Sequence, residues 1–352
     1  MRILLATDAW SPQINGVVRT YQRLQRELEE TGVELVVLGP ENFRCVPCPS
    51  YPEIGLALPD QRRCTALIEI ARVDAIHIAT EGPVGWMARR YCIARKLPFT
   101  SSFHTRFADY VSARWPIPES WVYAVQHRFH ARSAGVMVAT KSLAADLSAR
   151  GFERLLPWTR GVDGQLFRPS NARLFGEGPV FLYVGRVAVE KNIEAFLDLD
   201  LPGVKVVVGD GPQLADLSAR YRDAIFTGVR EGADLAACYA SADVFVFPSL
   251  TDTFGMVMLE AMSSGVPVAA FPAIGPKDLV TPGVSGVLSS DLAAAAKAAL
   301  ALDRSRVRAA AEAFTWQAAA RLFLANVETA RGLARQRAGR TAGIDLVRPH
   351  SV

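Results

Sequence analysis

The stretch DVFVFPSLTDTFGMVMLEAMSSGVPV, residues 243–268, decides the fold. It opens with a continuous apolar run, passes through a Ser/Thr/Asp/Gly loop into a helical pattern, and turns at Gly265 into a second apolar run, PVAAF. Strand, helix, strand in so few residues is a parallel crossover unit, and apolar runs without polar alternation belong to a sheet covered on both faces. Its helix nevertheless carries Glu260 between Leu259 and Ala261, with Asp252 in the loop before it. A carboxylate in an apolar helix costs free energy unless something binds it.

The same alternation runs outward in both directions. RILLAT, VELVVLG, VDAIHIA, PFTSSFH and GVMVAT read as buried strands in the first half, with helical periodicity between them, as in GVVRTYQRLQRELEETG ending at Gly32. After the Pro- and Gly-containing GVDGQLFRPSNARLFGEGP the order restarts with VFLYVG, VKVVVG, AIFTG, DVFVFP, PVAAF and SGVLSS. An α/β fold of two doubly wound Rossmann-like domains follows, in keeping with 352 residues, more than one core usually serves. Domain boundaries are expected at 1–165 and 166–315, with a helix over 316–336 crossing back to the first domain and a disordered tail over 337–352.

Composition narrows the function. No 18-residue apolar span and no signal peptide can be drawn, so a cytoplasmic location is expected. The five cysteines are scattered, and CVPC has no second pair to complete a zinc site, so they read as reduced and structural. Residues 1–170 carry 21 Lys/Arg against 16 Asp/Glu (+5), and residues 171–352 carry 18 against 19 (−1). The basic half lacks the dense clusters with interleaved aromatics that nucleic acid would require, so no nucleic-acid partner is expected.

Ligands of open α/β sheets bind beyond the carboxyl ends of the strands. There, TDAWSPQINGVVRTY brings Gly16 to a helix start, where a bare backbone can approach an anion. RVAVEKN places Arg186 and Lys191 together around a helix start, an arrangement a diphosphate would relieve. Phe254, Gly255, Met256 and Val257 are read as opening the helix that bears Glu260, their amides available to a sugar or phosphate; the plainer alternative is that Asp252 and Thr253 merely cap that helix. The one Asp-x-Asp, DLD at 198–200, follows a helix on the wrong side of the sheet, so no metal is expected.

VGRVAVEKN, VGDGP, the 243–268 stretch and GPKDLV together resemble the donor half of the retaining glycosyltransferases of family 4, with the GT-B fold, and the likeness covers about residues 1 to 330. INGV, HIATEGPVGWMARRYC and SSFHTRFADYV further resemble the members that glycosylate bacterial membrane lipids, diacylglycerol glycosyltransferases and GDP-mannose-dependent mannosyltransferases among them. The resemblance implies that Glu260 receives the ribose hydroxyls of a nucleotide-sugar donor and Asp252, where the family usually has Glu, the sugar hydroxyls. It implies that His104 contacts the donor sugar, and that Arg186, Lys191 and the Gly16 amide stabilise the leaving diphosphate. It also implies retention of configuration, with the leaving phosphate taking the acceptor proton and no cofactor beyond the donor. UDP-sugar is the favoured donor, GDP-mannose the runner-up, and a lipid such as diacylglycerol the acceptor; a nucleotide-sugar epimerase and a degenerate binding module are the competing classes. Finally, YVSARWPIPESWVYAVQHRFHARSAG mixes Tyr110, Trp115, Trp121, Tyr123 and Phe129 with Arg114, His127, Arg128, His130 and Arg132, which predicts peripheral docking on the anionic inner face of the membrane; the alternative is that the aromatics are core.

Overall fold

The computed structural model describes residues 1–13, 15–48, 51–112 and 116–344. Its strands are β1 (Arg2–Ala6), β2 (Glu34–Leu38), β3 (Cys45–Cys48), β4 (Tyr51–Ala57), β5 (Ala75–Ile78), β6 (Thr100–Phe103), β7 (Gly135–Val138) and β8 (Leu155–Pro157) in the first half. In the second they are β9 (Val180–Val184), β10 (Val204–Val208), β11 (Ile225–Phe226), β12 (Val244–Phe247), β13 (Val268–Ala270) and β14 (Gly286–Leu288). Helices α1 (Gly16–Glu29), α2 (Gln61–Ala71), α3 (Pro83–Ala94), α4 (Phe107–Ser112), α5 (Glu119–His130) and α6 (Lys141–Ala149) belong to the first half. The second carries α7 (Glu194–Leu197), α8 (Leu214–Arg220), α9 (Gly232–Ala240), α10 (Met256–Ser263), α11 (Pro276–Leu279), α12 (Leu292–Ala299), α13 (Arg304–Ala311) and α14 (Trp316–Ile344).

Two six-stranded sheets result, ordered β2-β1-β5-β6-β7-β8 and β11-β10-β9-β12-β13-β14. Every pairing in them is parallel. Parallel strands need crossover helices, which cover both faces, so successive residues of one strand enter opposite cores. Leu4, Ala6, Ile76 and Ile78 pack toward α2 and α3, while Ile3, Leu5 and Ala75 pack with Tyr21, Leu24 and Leu28 of α1. In the second sheet Phe245 and Phe247 join α9, α10 and α13, and Val244 and Val246 join α7 and α12. The antiparallel hairpin β3–β4 stands apart, with Cys45 and Cys48 at the ends of β3; all five cysteines are free.

The chain crosses between the sheets twice. Around residue 161 and again around 315 the crossings touch: Val162 N–H donates to the Phe314 carbonyl at 2.9 Å, and a Cβ on Gly161 would lie 2.3 Å from the Trp316 nitrogen. Helix α14 then packs on the first domain, where Ala320, Phe323 and Val327 join the α1 core and the Trp158 indole donates to the Ala319 carbonyl at 3.1 Å. One boundary needs correction. Helical backbone continues past residue 336 to Ile344, because Ala, Arg and Gln are strong helix formers and no proline intervenes. Residues 345–352 of the expected tail lie outside the described residues.

Candidate active site

Strand order reverses between β1 and β5 in the first sheet and between β9 and β12 in the second, and crevices open beyond the strand ends at these points. Gly16 follows β1, Arg186 and Lys191 follow β9, and Asp252 to Glu260 follow β12, so the two crevices carry most of the residues singled out in the sequence. Contacts across the cleft bring them face to face. Thr20 Oγ1 lies 3.4 Å from Met256 Sδ, Arg19 pairs with Glu231 at 3.2 Å, and Thr253 Oγ1 donates to the His104 carbonyl at 2.7 Å.

Lys191 lies on a 3-10 turn, Val189–Lys191, followed only by the one-turn α7, so no long helix starts there. Its ammonium is 2.6 Å from Asp252 Oδ1. Lys191 therefore has an anionic partner within the protein. The other oxygen, Asp252 Oδ2, has no hydrogen-bond partner among the described residues and is buried, an acceptor left for a hydroxyl. Arg186 sits half-buried at the head of the same loop. The loop is pinned by close backbone packing: a Cβ on Gly209, at φ +143°, would meet the Gly185 carbonyl oxygen at 1.9 Å. Gly275 of GPKDLV, at φ +93°, does the same beneath the Asp252 loop, its virtual Cβ 3.1 and 3.0 Å from the Asp252 and Phe254 carbonyl oxygens.

Helix α10 begins at Met256 with Gly255 (φ +86°) as its N-cap and no side-chain cap. Asp252 and Thr253 are engaged elsewhere, with Lys191 and His104, so the capping reading is set aside. Phe254 precedes the helix, its side chain in the core, leaving only its backbone for the cleft. Met256 and Val257 are half-buried in the first turn, where the uncapped amides lie. One turn on, Glu260 accepts a 2.7 Å hydrogen bond from Tyr239 of α9 on Oε2. Burial pushes its carboxyl up to about 7, against the opposing pull of the Tyr239 hydroxyl and of Arg19 from the other domain. Among the described residues the buried carboxyl group thus has one hydrogen-bond partner, on Oε2.

At the first crevice, Asn15 caps α1 by accepting from the Val17 and Val18 amides at 3.0 Å. A Cβ on Gly16 would meet nothing within 4 Å, so the protein itself does not require glycine there. Nearby Asp8 is tied to the Val84 and Gly85 amides and to Thr80, which makes TEGPVG a structural loop. His104 stands at the end of β6 with both ring nitrogens engaged: Nε2 is 2.9 Å from the Tyr21 hydroxyl and Nδ1 is 3.0 Å from the Arg160 guanidinium. Burial first, then the charge of Arg160, holds its pKa well below the ordinary histidine range, so the ring is neutral. A direct ring-nitrogen contact to the sugar would have to displace one of these partners.

Sequence reasoning missed Tyr239, Tyr21, Arg19 and Arg160. Arg19 and Tyr21 stand in the same TDAWSPQINGVVRTY stretch as Gly16, which could have pointed to them, whereas Tyr239 and Arg160 come from segments that carry no such signal. The expected interfacial segment divides. Tyr123 and Phe129 are buried at 5% and 0% exposure, and His130, at 1%, bonds Ser101 and Glu81, which corrects their assignment to the surface. Ile117, Trp121 and Val125, spaced four apart, are exposed at 41, 69 and 57%, beside exposed Arg128 and Arg132. Arg114 and Trp115 lie outside the described residues. In DLD, Asp198 accepts from Tyr221 at 2.6 Å, at the opposite end of the sheet from the cleft. No helix among the described residues is long and apolar enough to cross a membrane.

Two Rossmann-like domains facing across a cleft, with a basic loop and a buried carboxylate on the second, define the GT-B class of glycosyltransferases. Residues 14–166 match the family model for Glycosyltransferase Family 4 and residues 178–304 that for Glycosyl transferases group 1. A GDP-mannose-dependent alpha-mannosyltransferase of Mycobacterium tuberculosis (strain CDC 1551 / Oshkosh) is 30% identical over 316 residues, 82% of this chain and 83% of that one. The alpha-monoglucosyldiacylglycerol synthase of Streptococcus pneumoniae is 29% identical over 77% of this chain and 71% of its own. The sulfoquinovosyl transferase SQD2 of Arabidopsis thaliana is 33% identical over 76% of this chain, which spans 58% of that longer protein. Anabaena Alr3699/HepE, crystallised with UDP-glucose, superposes with a TM-score of 0.70 at 17% identity, covering 94% of this chain and 100% of that one, a likeness of fold. The chain belongs to family 4 of the glycosyltransferases.

Proposed function

We propose that this protein is a retaining hexosyltransferase that moves a sugar from a UDP-sugar to a membrane lipid, diacylglycerol being the favoured acceptor, without a divalent metal. The observation that carries the reading is the pair of carboxylates on one wall of the cleft. Glu260, anchored by Tyr239, keeps one oxygen for the ribose diol, and Asp252, anchored by Lys191, keeps Oδ2 for a sugar hydroxyl. Heterolysis of the sugar–phosphate bond builds negative charge on the diphosphate, where Arg186, Lys191, and the Gly16 amide act as electrostatic stabilisers. For Lys191 this means that the incoming diphosphate shares its ammonium with Asp252. Retention follows front-face attack: the acceptor hydroxyl forms the new bond as the diphosphate departs, and a phosphate oxygen takes its proton.

The lipid acceptor is supported by the diacylglycerol-acting relative and by the exposed Ile117–Trp121–Val125 row with Arg128 and Arg132, which suits peripheral docking on the cytoplasmic face of an anionic bilayer. A second reading, GDP-mannose-dependent mannosyl transfer, is favoured by the mycobacterial relative that aligns along most of both chains. Radiolabelled UDP-glucose and GDP-mannose, each incubated with and without lipid extract, separate the possibilities. Labelled lipid from the UDP-sugar supports the first reading, and labelled lipid from GDP-mannose the second. Turnover without lipid points to an epimerase, and binding without turnover to a degenerate module.

A further inference from the structure

Arg160 lies at the first crossing between the domains, 5% exposed, and no carboxylate pairs with it among the described residues. One guanidinium nitrogen donates to the Trp158 and Thr159 carbonyls at 2.7 and 3.2 Å, and the group lies over the Trp158 indole, 4.1 Å from a ring centre. The other nitrogen donates to His104 Nδ1 at 3.0 Å. Burial lowers its pKa to about 10, so it stays charged at neutral pH. Guanidinium has donors and no acceptor, so the nitrogen it meets must present a lone pair. The single ring proton of His104 therefore sits on Nε2, 2.9 Å from the Tyr21 oxygen, which accepts it. Tyr21 in turn lies 2.9 Å from His77 Nε2 and 3.1 Å from Ser102 Oγ, so its hydroxyl hydrogen has a partner. The backbone of the same histidine faces the other domain: its carbonyl accepts from Thr253 Oγ1 at 2.7 Å, and Thr253 adjoins Asp252.

We propose that Arg160 is a positioning residue that, from the first crossing between the domains, fixes His104 in the Nε2–H tautomer against Tyr21 and, through the His104 carbonyl, sets the Thr253–Asp252 loop across the cleft. This rests on the reading of the cleft as the site of sugar transfer and adds a residue that touches neither donor nor acceptor. A buried cation left with carbonyls and one imidazole would be a costly way merely to close a loop, since an apolar side chain could fill the space. The imidazole contact is the part that packing alone would not require.

The test uses the full chain with ¹⁵N-labelled histidine, of which there are five. Long-range ¹H–¹⁵N correlation spectra report which ring nitrogen carries the proton, independently of any activity, and a His104→Gln variant identifies the His104 signals by their loss. The expected result is a bare Nδ1 and a protonated Nε2 in the wild type, and loss of that preference in Arg160→Met. With the transferase assay, Arg160→Met should lower kcat by about 10²-fold, the size that a misplacement of around 1 Å produces. Its donor KM should stay within about threefold of wild type, as for an interaction that matters in the transition state. Arg160→Lys, which can still donate to Nδ1, should restore the tautomer and part of kcat. A wild-type ring protonated on Nδ1 overturns the proposal even if Arg160→Met does not fold. So does Arg160→Met with the Nε2–H tautomer and kcat unchanged. Absence of sugar transfer by the wild type would instead remove the proposed function and leave the tautomer measurement standing.

Discussion

The Tyr239 hydroxyl lies 2.7 Å from Glu260 Oε2, and this bond joins two helices, α9 and α10, at the buried carboxylate of the second domain. It accounts for half of what a buried carboxylate requires. Because burial raises the Glu260 carboxyl to about 7, its ionisation falls in the range where the enzyme is assayed. The folded state binds the proton more tightly than the unfolded chain, whose carboxyl titrates near 4.5. This group's contribution is therefore most favourable below pH 4.5 and is lost as pH rises through 7.

Glu260→Gln should accordingly gain stability relative to wild type on going from pH 5 to pH 8, by up to about 3 kcal/mol at the conversion of 1.36 kcal/mol per pK unit. Denaturant unfolding at the two pH values checks this; an equal difference at both would show that Glu260 is not the titrating group. In the same variant the acid limb near pH 7 in the donor kcat/KM profile should vanish.

Lys191→Ala and Arg186→Ala should each lower kcat/KM by about 10²-fold or more, as expected for losing one charge-stabilising donor. Lys191→Ala also leaves Asp252 without its cation, so the double variant Lys191→Ala/Asp252→Asn should recover thermal stability but not activity. Near-normal steady-state rates in either single variant would remove the diphosphate assignment.

Activity should survive EDTA if, as proposed, Arg186 and Lys191 provide the positive charge that a divalent ion supplies in Asp-x-Asp enzymes. Loss on chelation, restored by magnesium or manganese, would show that a metal participates.

Cosedimentation with liposomes tests docking. Binding should rise with the anionic lipid fraction and weaken with salt, since the attraction is screened over about 10 Å at 0.1 M. Arg128→Ser/Arg132→Ser should reduce it, at about 1 kcal/mol per cation, and Trp121→Ser should reduce it independently of salt. Indifference of the wild type to anionic vesicles at low salt would favour a soluble acceptor.

The strands and their parallel arrangement were legible in the sequence because a strand buried on both faces must be apolar at every position, as VFVF at 244–247 is. Part of the cleft's polar lining was legible for the same reason in reverse: Glu260 stands out in an apolar helix, and Arg186 and Lys191 stand out beside a strand end. What those groups touch was not. Lys191 finds Asp252 61 residues away, and Arg160 finds His104 56 residues away, through loops whose approach depends on glycine backbones such as Gly209 and Gly275. Tyr123 and Trp121, two residues apart on α5, were indistinguishable in composition, yet one is 5% and the other 69% exposed. Residue type and local period determine which elements form, because those depend on neighbours along the chain. Which hydrogen bonds satisfy a buried charge, and which face of a mixed helix meets water, depend on atoms brought together only when both sheets and their crossing helices have packed.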